Sequence, residues 1–207
     1  MCPYCEKILK ISETCVDCLE KTRDNSKFVL LSEENLENPC YCIAALKYNT
    51  LVKNAVWNFK FKGIKSYSEQ LSCEMFLAVN RVFQNMKFDY ITCVPLHKDK
   101  KLIRGYNQAE ALARDLGKKL NVKYIDLIIK TKNNKAQHDL NLKDRIENIK
   151  NVFDINKSIE ISENSNILIC DDILTTGNTL KECVKVLYNS GFKNIQCTSI
   201  AYVTTNN

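Results

Sequence analysis

Three observations predict an α/β fold with a mostly parallel sheet flanked by helices. From Asp89 onward, apolar runs of strand length alternate with stretches of helical periodicity, the pattern of successive strand–helix units. One run, Ile167-Leu168-Ile169-Cys170, is apolar at every position, which suits a strand covered on both faces, as parallel strands are. It leads through Asp171-Asp172-Ile173-Leu174 into Thr175-Thr176-Gly177-Asn178-Thr179. A polar, glycine-containing turn thus stands at the carboxyl end of a strand, where open α/β sheets bind ligands.

The elements follow in chain order. Residues 1–20 are expected to form a small cysteine-bound knuckle, and residues 21–49 a linker and the start of the main body. Residues 50–207 form the α/β domain, with residues 50–87 as its helical N-terminal part. From Thr50, Leu51, Val52, Ala55, Val56 and Phe59 share one helical face, and Gly63 ends the run. Trp57, Lys60, Phe61 and Lys62 are interleaved with them. Such a mixture suits stacking and neutralisation of single-stranded nucleic acid; the commoner origin is an amphipathic helix with its lysines in solvent, and that reading is preferred. A second helix over Tyr67–Asn85 carries Leu71, Met75, Leu77, Val79 and Val82. Strands are then predicted over Asp89–Leu96, Val122–Ile129, Asn166–Cys170 and Ile195–Val203, and helices over Asn107–Leu120 and Thr179–Ser190, the latter stopped by Gly191. Lys130–Ile149 is polar and basic, a loop running into a short helix.

The 207 residues are 45% apolar, enough for a real core in one or two domains. No apolar stretch approaches the roughly 20 residues a spanning helix needs, so no membrane insertion is expected. The chain opens on cysteines and charges rather than on a signal sequence, which predicts a cytoplasmic protein. In that compartment 11 cysteines are not a disulfide framework, leaving metal binding or buried thiols.

Four of them form a pattern: Cys2-x-x-Cys5, nine residues, then Cys15-x-x-Cys18. Two such hooks supply four thiolates to one tetrahedral Zn²⁺ at about 2.3 Å each. A segment this short buries little apolar surface, so the metal itself would hold it folded. The intervening loop is shorter than the about 15 to 20 residues of a zinc ribbon, which favours a compact knuckle. Cys40 and Cys42 enter an apolar run and are expected to be buried. Cys73, Cys93, Cys170, Cys183 and Cys197 lie within helical or strand patterns, where free cysteine behaves as a small hydrophobe.

The turn after Cys170 has the chemistry of a sugar-phosphate site. Thr175 to Thr179 offer backbone N–H groups, three hydroxyls and the positive end of the following helix, while Gly177 permits close approach or a positive φ. Asp171 and Asp172 suit vicinal ribose hydroxyls, or Mg²⁺ carried on a second phosphate group. This stretch resembles the phosphoribosyl-diphosphate (PRPP) loop of type I phosphoribosyltransferases nearly residue for residue. The resemblance implies a type I phosphoribosyltransferase-like sheet, with Asp171 and Asp172 on the ribose 2′ and 3′ hydroxyls and Thr175, Thr176, Gly177, Asn178 and Thr179 around the 5′-phosphate.

A second segment narrows the likeness. Val94-Pro95-Leu96 ends a strand, a cationic stretch follows, and Arg104-Gly105-Tyr106-Asn107-Gln108 opens a helix. With Gln137, Leu140, Arg145 and Asn148, and with the N-terminal cysteines, these resemble the ComF or GntX-like family, a competence-associated branch of the phosphoribosyltransferase-like proteins. Lys101 and Lys130 stand where relatives often carry arginine, keeping charge but losing the bidentate fork. Lys98, Lys101, Arg104, Gln108, Gln137 and Arg145 are candidates for a diphosphate loop or for nucleic-acid contact. His97 and His138 are the only histidines and are not assigned a catalytic role.

The resemblance implies a PRPP-binding factor that handles single-stranded DNA in DNA uptake during natural transformation, with structural Zn²⁺, Mg²⁺ bound with PRPP, and an uptake helicase or membrane channel as partner. The net charge of +6 agrees with a polyanionic ligand without requiring one. The alternative is an active phosphoribosyltransferase joining ribose 5-phosphate to an unidentified nitrogen acceptor, although nothing between Thr50 and Asn85 resembles an acceptor hood.

Overall fold

Five parallel strands and one antiparallel edge strand carry the chain's main sheet in this computed structural model, which describes residues 2–7, 15–22, 26–31, 38–61, 67–131 and 152–204. The strands are β1 (Lys27–Leu30), β2 (Tyr41–Lys47), β3 (Tyr90–Cys93), β4 (Lys123–Tyr124), β7 (Ile167–Leu174) and β8 (Ile195–Tyr202), in the order β1-β2-β8-β7-β3-β4. Only β1 runs antiparallel to its neighbour. β5 (Ile128–Lys130) and β6 (Phe153–Ile155) form a separate antiparallel pair.

The unbroken apolar run of β7 is explained by cover on both sides. Leu168 and Cys170 pack into a cluster with α2 (Thr50–Phe61), α3 (Tyr67–Val82) and α5 (Gln108–Leu120). Ile167 and Ile169 pack on the other face with Leu180, Cys183, Val184 and Leu187 of α6 (Asn178–Asn189). Period two in a strand sends neighbours to opposite faces, so only a strand buried on both sides is apolar at every position.

The expected helices of the N-terminal part are present, and several predicted boundaries shift. The segment around Cys40 and Cys42, read as part of a linker and start of the body, is β2, paired in register with β8 through Cys42↔Cys197 and Ile43↔Thr198. The single strand expected over Val122–Ile129 is divided: β4 joins the main sheet and β5 leaves it. Ile125, Asp126 and Leu127 lie between them outside either strand, and the two halves pair with different partners, β3 and β6. Cys73 is exposed rather than buried, because the buried positions of α3, including Leu71, Ser72 and Met75, leave it on the outer face. Cys93, Cys170, Cys183 and Cys197 are buried as expected.

The segment before α5 acts as a bracket. Gly105 closes a short helix α4 (Lys98–Arg104) with φ +79°, left-handed geometry that a side chain would resist. The Tyr106 hydroxyl donates to the Phe59 carbonyl of α2, and the two rings meet edge to face at 5.5 Å. Asn107 caps α5 by accepting from the Ala109 N–H at 3.1 Å, and its amide donates to the Val94 carbonyl at 3.0 Å. One tripeptide thereby fixes α2, α5 and the end of β3 to each other.

Candidate sugar-phosphate site

The acidic doublet lies inside β7, not after it as the sequence suggested. β3 pairs with β7 only as far as Cys93↔Cys170, whereas β8 continues through Asp171↔Ser199, Ile173↔Ala201 and Leu174↔Tyr202. Ladder bonds from β8 hold the strand extended while the β3 side has already opened, so both carboxylates emerge at the sheet's carboxyl edge.

Strand alternation gives them different neighbours. Asp172 receives Lys60 from α2, with Nζ 2.7 Å from Oδ2 and both side chains 18% exposed. Asp171 accepts the Asp172 backbone N–H at 2.8 Å. It lies deep, with part of its surface still open to solvent, and burial pushes its carboxyl up to about 7; the charge of Asp172 adds to this, and Lys60 and Lys130 pull against it. Lys130 of β5 sits 5.5 Å from the Phe153 ring, and burial, assisted by Lys100, pushes its ammonium down to about 8. The doublet therefore carries less than its formal charge of two until a cation or hydroxyl donor arrives.

Thr175 and Thr176 are exposed, Gly177 is buried, and Asn178 and Thr179 begin α6 at intermediate exposure. Gly177 caps the helix with φ +78° and contributes no side-chain acceptor. The first turn of α6 contains no acidic residue, so its N–H groups and positive dipole end are not neutralised locally. A Cβ at Gly177 would lie 2.9 Å from Leu31 Cδ2. Leu31, just after β1, thus closes one side of the loop, and its side-chain tip would have to shift for any Cβ at Gly177, whose φ of +78° itself favours glycine.

The cationic stretch departs from expectation. It is the helix α4, not a loop. Lys101 is drawn to Glu110 at 2.9 Å, and Arg114 binds the same carboxylate at 3.0 Å, so Lys101 is tethered to α5 while the three groups together keep a net positive charge. Lys98 is exposed at the start of α4, and Arg104 ends it. Gln108 is 2% exposed at the start of α5, a packed position rather than a ligand-facing one. His97 caps α4 through an Nδ1 contact with the Asp99 N–H at 3.3 Å. Gln137 and Arg145, like His138, lie outside the described residues.

Lys60 is the site residue that the sequence reading missed. It falls four residues after buried Val56 and one after buried Phe59, on the flank of the core face, and that position was the available signal. Trp57 and Phe61, by contrast, are 49% and 58% exposed. The helix is amphipathic with one face buried, as preferred, but Lys60 departs from the expected solvated lysines by turning to Asp172, while two aromatic rings turn outward.

At the N-terminus, the Sγ atoms of Cys2, Cys5, Cys15 and Cys18 all lie within 4.8 Å of one another. Those of Cys5 and Cys15 are 3.7 Å apart, close to the about 3.8 Å edge of a tetrahedron with 2.3 Å metal–sulfur bonds. Burial pushes the Cys2 and Cys18 thiols up, and neighbouring sulfurs add to it at Cys18, a penalty that a divalent cation reverses. The donor set fits a structural Zn²⁺. The cluster is joined to the body: Cys2, Tyr4, Cys15 and Cys18 share one apolar cluster with Phe59 and Tyr67, and Asn58 of α2 donates to Glu6 at 2.6 Å.

A family model described as a phosphoribosyl transferase domain matches residues 102–205. The chain belongs to the phosphoribosyl transferase domain family. Its sheet and loop are therefore those of a type I phosphoribosyltransferase-like fold. Competence protein F of Haemophilus influenzae is 28% identical over 96% of this chain and 84% of its own length. Competence protein ComFC of Bacillus subtilis is 26% identical over 92% of this chain and 72% of its own. The DNA utilization protein YhgH of Escherichia coli is 29% identical over 52% of this chain and 47% of its own. These relatives bear out the ComF resemblance read from the motifs. The crystal structure of an adenine phosphoribosyltransferase superposes with a TM-score of 0.41 at 17% identity, covering 72% of this chain and 75% of that one. Among the described residues, no helix is long and apolar enough to cross a membrane.

Proposed function

We propose that this protein binds PRPP with Mg²⁺ and handles single-stranded DNA during DNA uptake in natural transformation. The observation that carries the first half is the acidic doublet of β7 standing two strand residues before the Thr175–Thr179 loop that opens α6. In this reading the loop amides and hydroxyls hold the 5′-phosphate, and Asp171 and Asp172 take the ribose hydroxyls. The same two carboxylates suit Mg²⁺ that arrives on the diphosphate and would supply charge neutralisation there. Cys2, Cys5, Cys15 and Cys18 hold a structural Zn²⁺ that ties the two cysteine pairs to the body.

The names of the relatives and the net charge of +6 support the DNA half. Cytoplasmic action beside an uptake helicase or channel is consistent with that role. Calorimetric titration of the zinc-loaded protein with PRPP and Mg²⁺ tests the donor site. Saturable binding that is lost in the Asp171→Ala/Asp172→Ala double variant is expected, and unchanged affinity in that variant rejects the site. Titration with a single-stranded oligonucleotide at rising salt tests the other half, since phosphate contacts make affinity fall steeply with ionic strength.

The near-complete donor loop also favours a second reading, a working transferase acting on a nitrogen nucleophile. Release of diphosphate from PRPP in the presence of a base or amine decides for turnover; its absence across a broad panel leaves binding alone.

A further inference from the structure

The outer face of α2 carries an exposed stripe of one lysine and two aromatic residues. Lys53, Trp57 and Phe61 are spaced by four residues each, which places them on one stripe of the helix. All three are exposed, and the Trp57 and Phe61 rings lie 5.6 Å apart at 42°. The same helix has an apolar interior side that takes Phe59 to complete burial. Two large aromatic rings about half in water on the side of the helix turned from the core are the usual mark of a contact surface.

Three further observations specify the partner. The sequence of α2 contains lysines and no acidic residue, so the stripe complements a polyanion. Lys60 stands one turn beyond Trp57 and reaches Asp172 at 2.7 Å, which sets the stripe beside the sugar-phosphate site rather than on a remote face. The helix is also held firmly, by the Tyr106 hydroxyl on the Phe59 carbonyl and by Asn58 on Glu6 of the cysteine cluster. A rigid aromatic pair flanked by cations stacks on the faces of unpaired bases, which a duplex keeps stacked on each other.

We propose that Lys53, Trp57 and Phe61 form the surface on which bases of single-stranded DNA stack as the strand passes the sugar-phosphate site. This rests on the single-strand handling proposed above and assigns it a place on the molecule.

The chain contains one tryptophan, so its fluorescence reports on this surface directly. Zinc-loaded protein is titrated with a short oligothymidylate, following Trp57 emission and, separately, the anisotropy of a labelled copy of the same strand. Wild type is expected to show saturable quenching. Phe61→Ala and Trp57→Ala should each weaken strand binding about tenfold or more, while Trp57→Phe retains most of it. Lys53→Gln should reduce the salt slope by roughly one. PRPP titration of each variant serves as the control for an intact fold and sugar site. Wild-type affinity in both alanine variants overturns this surface while leaving single-strand handling in place. Equal affinity for single strand and duplex overturns stacking as the mode of contact. No strand binding by the wild type overturns both this surface and the DNA half of the function.

Discussion

Lys60 Nζ lies 2.7 Å from Asp172 Oδ2, and through this contact the first long helix of the domain reaches the strand that carries the candidate sugar-phosphate site. Both side chains are largely shielded, so the pair is worth more than a surface ion pair and is costly to break from one side. It matches Asp172 to a cation and, through space, also draws the Asp171 carboxyl downward.

Lys60→Met should therefore weaken binding of PRPP with Mg²⁺ by about tenfold, and Lys60→Arg should preserve most of it. Calorimetry at several pH values is the measurement. In Lys60→Met the affinity should also need a higher pH, because Asp171 then holds its proton more tightly. Tighter binding in Lys60→Met would instead show that the lysine competes with the ligand for Asp172.

Asp171 gives a pH dependence with a defined sign. Its carboxyl is raised from 3.8 to about 7 in the folded protein, so folding favours the protonated form. That contribution is fully present below about pH 4 and is lost as pH rises through about 7, where the folded state must carry a buried charge. Asp171→Asn removes this loss. The melting temperature of the variant minus that of wild type should rise between about pH 4 and 7 and then level off; a flat difference rejects the raised value.

Cys18→Ser should release the metal and lower the melting temperature of the whole protein. The cysteine cluster packs against Phe59 and Tyr67 and shares a hydrogen bond with α2, so it is not an independent bead on a linker. Zinc content by atomic spectroscopy together with thermal unfolding measures both effects. Metal loss with an unchanged melting temperature would show the cluster to be energetically separate from the sheet.

Gly177→Ala combines two costs, a left-handed backbone and a Cβ 2.9 Å from Leu31 Cδ2. A loss of about 1–3 kcal/mol in stability is expected from the backbone conformation and contact together. PRPP affinity should fall as well, since the loop must shift. Adding Leu31→Ala should recover the steric part only, which denaturant unfolding of the single and double variants separates.

The parts of the site that are contiguous in sequence were readable from it. Asp171 through Thr179 form one strand-to-helix turn, and a short segment specifies its own geometry through glycine, hydroxyls and a helix start. The four cysteines were readable for a similar reason, because paired C-x-x-C hooks bring four sulfurs within 4.8 Å of one another. What the sequence concealed depended on pairing at long range. Cys40 to Lys47 lacks the polar alternation that marks a half-buried strand, so β2 became visible only through its register with β8. Lys101 looked like a phosphate contact until Glu110, nine residues on, was found to hold it.

The sequence by itself determined the acidic and hydroxyl-rich make-up of the β7–α6 turn, the paired cysteines that lie close enough to hold a metal and the α/β class, because each is written in residues close along the chain. Tertiary structure decided which charges remain available to a ligand. It brought Lys60 across more than a hundred positions to Asp172, tethered Lys101 to Glu110, and turned Trp57 and Phe61 outward. Periodicity says that a helix has a buried side, but only the packing of α2 against β7 and Tyr106 fixes its rotation, and with it which residues face the carboxylates and which face solvent.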